Sequence, residues 1–284
     1  MHASSADPAA NDRDGAAEQL AQRVPLVHFP ARLPMQATRA LGPGWADAWD
    51  ELTSNSVRGV PAASDSFSQL RAQHVFTYAG PCCYSGGPVP VGNAVLYLYP
   101  HVETARKGEV SPFDSGALED PARLQPWATR TLAERWNFLR LHTSELGDWR
   151  TRFQSWLLGC YEDPWRYLES TPEPWNAGLP DRMDPPDLLT HNGPAGRLIH
   201  GDSCGDRRAW TWEVRFRERI TWRHHLQLLH VGNAANERAN DLADDIERET
   251  GVRPEVRSLP HDTLPDFYSL LERSGQILRE CIAP

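Results

Sequence analysis

The strongest β-forming stretches of this chain lie far apart along it, and that separation constrains the fold more than any other feature. Residues 94–99 (AVLYLY) are a continuous apolar run of the kind buried on both faces of a sheet. Residues 74–78 (HVFTY) are rich in β-branched and aromatic side chains and stop at Gly80-Pro81. A second cluster begins at residues 209–217 (AWTWEVRFR), which alternate polar and apolar side chains, and continues through residues 226–231 (LQLLHV). A charged helical stretch at 234–250, closed by Gly251, and an extended stretch at 254–259 follow. The two clusters flank a helical block and a long loop, and read as one sheet whose strands are far apart in sequence. The expected class is α+β, with one mixed sheet built from sequence-distant strands and a Trp-rich helical insertion between them.

That insertion is expected at about 126–170. Leu132, Trp136 and Leu139 recur at helical spacing, as do Trp149, Phe153 and Trp156, which predicts two helices with apolar faces. Asp163-Pro164 then supplies a capping residue and a first-turn proline for a short helix at 165–169. Residues 171–198 are rich in Pro and Gly and read as a long surface loop. Smaller elements are expected at 24–29 (extended), 44–54 (helix, with Trp45, Trp49 and Leu52 on one face), 65–73 (helix) and 264–281 (helix). Residues 1–23 are small, polar and charged, and predict a disordered N-terminal tail with at most a frayed helix near 15–23. Residues 24–284 are then a single domain.

Composition narrows the function classes. The net charge is -9, which argues against sequence-blind binding to nucleic acid or to an anionic membrane surface. No apolar run approaches the length of a membrane span. The tail has no apolar stretch of the signal-peptide kind, and five Cys in no disulfide framework fit a reducing compartment, so the expected location is the cytoplasm. There is no GxxxxGK[ST], no GxGxxG after a strand, no GxSxG and no HExxH. P-loop nucleotide hydrolysis and α/β-hydrolase chemistry are therefore disfavoured.

Two stretches hold the candidate site. In Trp210-Thr211-Trp212-Glu213-Val214-Arg215, strand alternation puts Glu213 and Arg215 on one face, opposite the tryptophans. If the tryptophans face the core, Glu213 faces outward with Arg215 beside it, either as a ligand-binding carboxylate or as a solvated ion pair. The second stretch, Ser111-Pro112-Phe113-Asp114-Ser115-Gly116, places two hydroxyls and a carboxylate at an expected turn. Such a turn can offer hydroxyl and backbone N–H groups to a ligand, or simply bond its own backbone.

The order of His74 or Tyr78 on an early strand, then Ser111, Asp114 and Ser115, then Glu213 on a late strand resembles the ADP-ribosyltransferases. The likeness rests on these three short segments. Thr211 stands where many members carry Gln or Glu, and the family's Ser-Thr-Ser string is absent. The resemblance implies NAD as co-substrate, with Glu213, His74 and Tyr78 catalytic and Ser111, Asp114, Ser115 and Arg215 binding the cofactor. Glu213 would hold the ribose hydroxyls and stabilise an oxocarbenium-like transition state. No metal is expected on this reading.

Two other classes compete. A non-enzymatic module would bind an unidentified protein or small molecule, using Trp-rich helices as its interface. A metal-dependent nuclease is suggested by Asp202 followed by Glu213-Val214-Arg215, which resembles the Asp…Glu-x-Lys arrangement of the restriction-enzyme fold, with Arg in place of Lys. The stretch His200-Gly201-Asp202-Ser203-Cys204-Gly205-Asp206 has no zinc-type spacing and reads as a polar turn. Cys82-Cys83 read as loop or buried thiols.

Overall fold

A computed structural model describes residues 8–28, 67, 70, 74–80, 94–100, 107–119, 130–169, 211–217, 224–232, 236–259 and 275–283. Expectations for Trp45 and Trp49, Cys82-Cys83, the 171–198 loop, the 200–206 turn and Trp210 lie outside these residues.

The elements in chain order are α1 (Pro8–Arg23), β1 (Leu26–His28), β2 (Val75–Ala79), β3 (Ala94–Leu98), β4 (Gly108–Ser111), α2 (Ser115–Glu119), α3 (Leu132–His142), β5 (Ser144–Glu145), α4 (Trp149–Cys160), a 3-10 helix (Pro164–Leu168), β6 (Trp212–Phe216), β7 (Leu226–Gly232), α5 (Asn236–Thr250) and β8 (Glu255–Leu259). A last helix, α6, covers 275–282. The strands form one sheet in the order β5-β4-β6-β2-β1-β3-β7-β8. All neighbours are antiparallel except β7 and β8, which run parallel and are joined through α5. The protein has the α+β class with one mixed sheet, and strands distant in sequence are neighbours in it: β6 lies between β4 and β2.

The three-residue β1 sits mid-sheet, pairing with β2 on one side and β3 on the other. A stretch so short and central is held by its neighbours rather than by its own propensity. Two polar strands, β4 and β5, carry no apolar alternation and were not legible as strands. β4 requires Gly108, because a Cβ there would lie 2.4 Å from the backbone oxygen of Arg215.

The helices explain themselves locally. Thr131 and Glu134 form a capping box that starts α3, and Asp163 accepts from the Trp165 N–H to start the 3-10 helix, with Pro164 in its first turn. One face of the sheet packs on α4 and the 3-10 helix. There Trp212 meets Trp149, Phe153 and Trp156 at ring distances of 6.2, 5.3 and 6.0 Å. Tyr167 donates its hydroxyl to Ala79 O and accepts from Trp212 N–H, tying the 3-10 helix to β2 and β6. Gly80, at φ 118°, leaves room for that ring, since a Cβ would fall 2.4 Å from Tyr167 Cε1.

Three expectations are corrected. Residues 8–23 are a helix and not a disordered tail: Ala17, Leu20, Ala21 and Val24 are wholly buried. Their i, i+3/i+4, i+7 spacing is an apolar stripe, and its small residues let α1 approach α4 closely. The two antiparallel helices also exchange arginines. Arg13 donates to Leu158 O and, at 2.7 Å, to Tyr161 O at the end of α4, while Arg150 donates to Ala21 O at 2.5 Å at the end of α1. Each guanidinium satisfies carbonyls that a helix end leaves without a partner. Second, Leu132 is exposed and Trp136 only half-buried, so the apolar stripe of α3 covers less than its spacing implied. The third correction concerns the outward face of β6.

Candidate functional site

The register across three adjacent strands brings most of the candidate residues onto one patch. Ser111 on β4, Glu213 on β6 and Tyr78 on β2 lie side by side, and so do Glu109, Arg215 and Phe76. Paired residues share a face of the sheet, so these six side chains project together. His74 stands just before β2, one step beyond the Val75–Phe216 pair, toward Arg217.

This face is not open to water. Glu213 and Arg215 are both fully buried, against the expectation that they face outward, whether as a ligand-binding group or as a solvated pair. The reason is a second apolar layer: Phe113, Leu118 of α2, and Phe138 and Leu139 of α3 pack with Phe76 over this half of the sheet. Phe113 stacks on Phe138 at 5.7 Å, and Phe138 meets the His142 ring at 4.3 Å. Strand alternation correctly separates Glu213 from Trp212, but both faces are covered.

Burial forces the polar groups to satisfy one another. Arg215 Nη1 donates to Glu213 Oε1 at 2.9 Å, and Arg215 Nη2 donates to Thr143 Oγ1 at 2.8 Å while lying 3.7 Å from Glu109 Oε2. Ser115 donates to Glu213 Oε2 twice, from its backbone N–H at 3.2 Å and its hydroxyl at 3.0 Å. Asp114 accepts the Gly116 N–H at 2.7 Å, which turns its carboxylate back onto the first turn of α2. Ser111 spends its hydroxyl on Phe113 O, closing the turn out of β4.

Loss of hydration pushes the Glu213 carboxyl up to about 8; the Arg215 charge opposes this, and the Asp114 carboxylate reinforces it. Burial thus favours the neutral carboxyl and the Arg215 guanidinium the ionised one, and the 2.9 Å contact is a charge-assisted hydrogen bond in either state, with Glu109 3.7 Å from the same guanidinium. Glu109 behaves oppositely. Burial alone would raise it, but the Arg217 hydrogen bond and the Arg215 and Arg217 charges hold it below the usual carboxylate range. Desolvation lowers both His74 and His142, so both rings are neutral at pH 7. His74 Nδ1 faces Leu70 O at 3.0 Å and therefore carries the ring proton.

The fold thus gathers Glu213, Arg215, Asp114 and Ser115 into one hydrogen-bonded network, with Tyr78 and Ser111 flanking Glu213 in register and His74 set apart toward Glu109. The chain matches no protein-family model, no curated protein and no solved structure. Its chemistry must be read from this geometry. The network can hold a proton on the Glu213 carboxyl, which loss of hydration favours. Among the described residues no group of His, Cys, Asp and Glu is arranged to hold a metal ion, and no helix is long and apolar enough to cross a membrane. Asp202, which the nuclease arrangement needs, lies outside the described residues.

Three participants were missed from sequence: Glu109, Thr143 and the covering layer itself. Glu109 alternates with Val110 on a polar four-residue strand, and Thr143 stands just after α3, so neither carries a local pattern that marks it.

Proposed function

We propose that this chain is a binding module that engages a protein or small-molecule partner without transforming it. The carrying observation is the state of Glu213. It is the carboxylate that both enzyme readings require, yet it is enclosed completely, with both oxygens spent on Arg215 and Ser115. A group that must touch ribose or a metal needs an open coordination side, and this one has none in the folded state. The network instead fits a polar core that fixes β4, β6 and the α2–α3 layer in one arrangement. The charge of -9 favours encounter with a cationic partner.

A second reading, an NAD-directed transferase of the ADP-ribosyltransferase type, is favoured by one observation. Tyr78, Ser111, Asp114, Ser115, Glu213 and Arg215 come from three separated segments and meet on one patch of sheet. On this reading the α2–α3 layer must lift before NAD reaches Glu213.

Labelled NAD and cell extract, run beside supercoiled plasmid with and without Mg²⁺, separate the readings. The binding-module reading expects neither label transfer nor nicotinamide release nor plasmid loss. It also expects a partner that, once purified, re-forms a complex of fixed stoichiometry with the chain. Turnover of NAD by the wild type that disappears in a folded Glu213→Gln variant overturns it in favour of the second reading.

A further inference from the structure

The two edges of the sheet differ. β5 closes one edge with two residues, Ser144 and Glu145, and Arg217 engages the Glu145 carboxylate at 3.1 Å. An edge so short and charged offers another strand little to pair with. β8 closes the other edge with five residues and, among the described residues, pairs only with β7. Alternate residues of a paired strand turn their N–H and C=O groups away from the neighbour, so β8 carries a row of backbone groups facing outward. That edge meets water: Glu255 and Ser258 are exposed and Val256 and Arg257 half-buried, whereas every residue of β2 and β6 is buried.

We propose that β8 pairs antiparallel with β8 of a second copy of this chain, with Val256 on the two-fold axis, joining the two sheets into one. Charge selects the partner and the register. Opposed residues of an antiparallel pair share a face of the sheet, so the axis passes through a residue and not between two. Placed at Glu255 or at Arg257, it sets that residue against its own like charge. Placed further along, it leaves Glu255 with no opposite residue in the strand. Placed at Val256, it sets Glu255 against the partner's Arg257 and Arg257 against the partner's Glu255, two opposite-charge pairs across one edge. Prolines stand directly before and after the strand in the sequence, at 254 and 260, and supply no N–H, which confines the pairing to β8 itself.

Within one copy the two charges are already held at the edge. Arg257 Nε donates to Glu255 Oε1, and Arg257 Nη1 lies on Glu280 Oε2 of α6, each at 2.5 Å. A guanidinium has five N–H groups, so Arg257 can take the partner's Glu255 without releasing its own contacts. A five-residue edge is smaller than a standard interface, so a reversible dimer with a Kd of about 10–100 µM is expected. The pairing uses no residue of the Glu213 network, so its failure leaves the proposed function untouched.

The test is sedimentation velocity of the full chain from about 1 to about 200 µM, in salt near physiological strength to screen the repulsion between two chains of charge -9. Glu255→Arg sets positive charge against positive in both pairs, and Arg257→Glu sets negative against negative. Each variant alone should dimerise about tenfold more weakly or worse. Mixed together they restore opposite charges in both pairs, and should associate about as tightly as the wild type. A wild type that stays monomeric over this range overturns the pairing, as it would if another stretch of this chain or a strand of a different protein took the edge. A dimer that both variants leave intact uses another surface, and loss in both without recovery on mixing refutes the register; either result overturns the proposal. If a variant fails to fold, amide exchange of the wild type decides: Glu255–Arg257 should slow severalfold from the dilute to the concentrated sample while Ser144 and Glu145 do not, and equal exchange at both concentrations overturns the pairing.

Discussion

Leu20→Ala tests whether α1 belongs to the core. Leu20 is wholly buried between Ala17, Ala21 and Val24 and the elements they pack on. Truncation removes three carbons, worth about 0.8 kcal/mol each in transfer free energy, or about 2.4 kcal/mol in all. The surrounding helices cannot close the gap freely, because the Arg13 and Arg150 hydrogen bonds fix the spacing of α1 and α4 at both ends. A cavity contribution therefore adds to the transfer cost, and the total expected loss is about 3–4 kcal/mol. For a chain of this size that lowers the Tm by roughly 2–4 °C per kcal/mol, or about 6–16 °C. Urea unfolding followed by tryptophan fluorescence gives the free energy, with Trp149, Trp156 and Trp212 as reporters beside the docking site. Gln22→Ala, on the exposed side of α1, is the control and should stay within about 0.5 kcal/mol of the wild type. Equal stabilities of the Leu20 and Gln22 variants would refute the docking of α1.

Trp156→Ala should cost about 3–5 kcal/mol in urea unfolding, because the ring touches Phe153, Tyr161, Tyr167 and Trp212. The half-buried Trp136, which meets Phe67 edge-on at 5.3 Å, should cost clearly less in the same assay. Gly108→Ala should destabilise by about 1–3 kcal/mol or more, since its Cβ meets the Arg215 carbonyl and β4 must shift off β6. Tyr167→Phe should lose about 1 kcal/mol, with the Ala79 carbonyl and Trp212 N–H left without the bridging hydroxyl. His142 binds its proton less readily in the folded state than in the unfolded chain. Its contribution to stability is therefore full above pH 6.5 and is lost as pH falls from there; His142→Gln should flatten that limb of the stability–pH curve.

Local pattern alone determined much of this protein. The apolar run at 94–99, the alternation at 212–216 and the amphipathic stretch 236–250 each formed the element their periodicity demands, because a side chain's face follows from 2.0 or 3.6 residues per repeat whatever lies nearby. Those same repeats placed Glu213 and Arg215 on the side of β6 opposite Trp212. The stripe Ala17, Leu20, Ala21, Val24 was also present in the sequence, but it is built of small residues and is weak by composition; only a partner helix within reach gives it area to bury. Tertiary structure alone decided what covers each face. Whether Glu213 meets water or Phe113, Leu118 and Phe138 depends on segments distant in sequence, and no local pattern encodes that. The tendency of Glu213 to hold its proton follows from the covering, since the desolvation that raises its carboxyl exists only once the chain has folded.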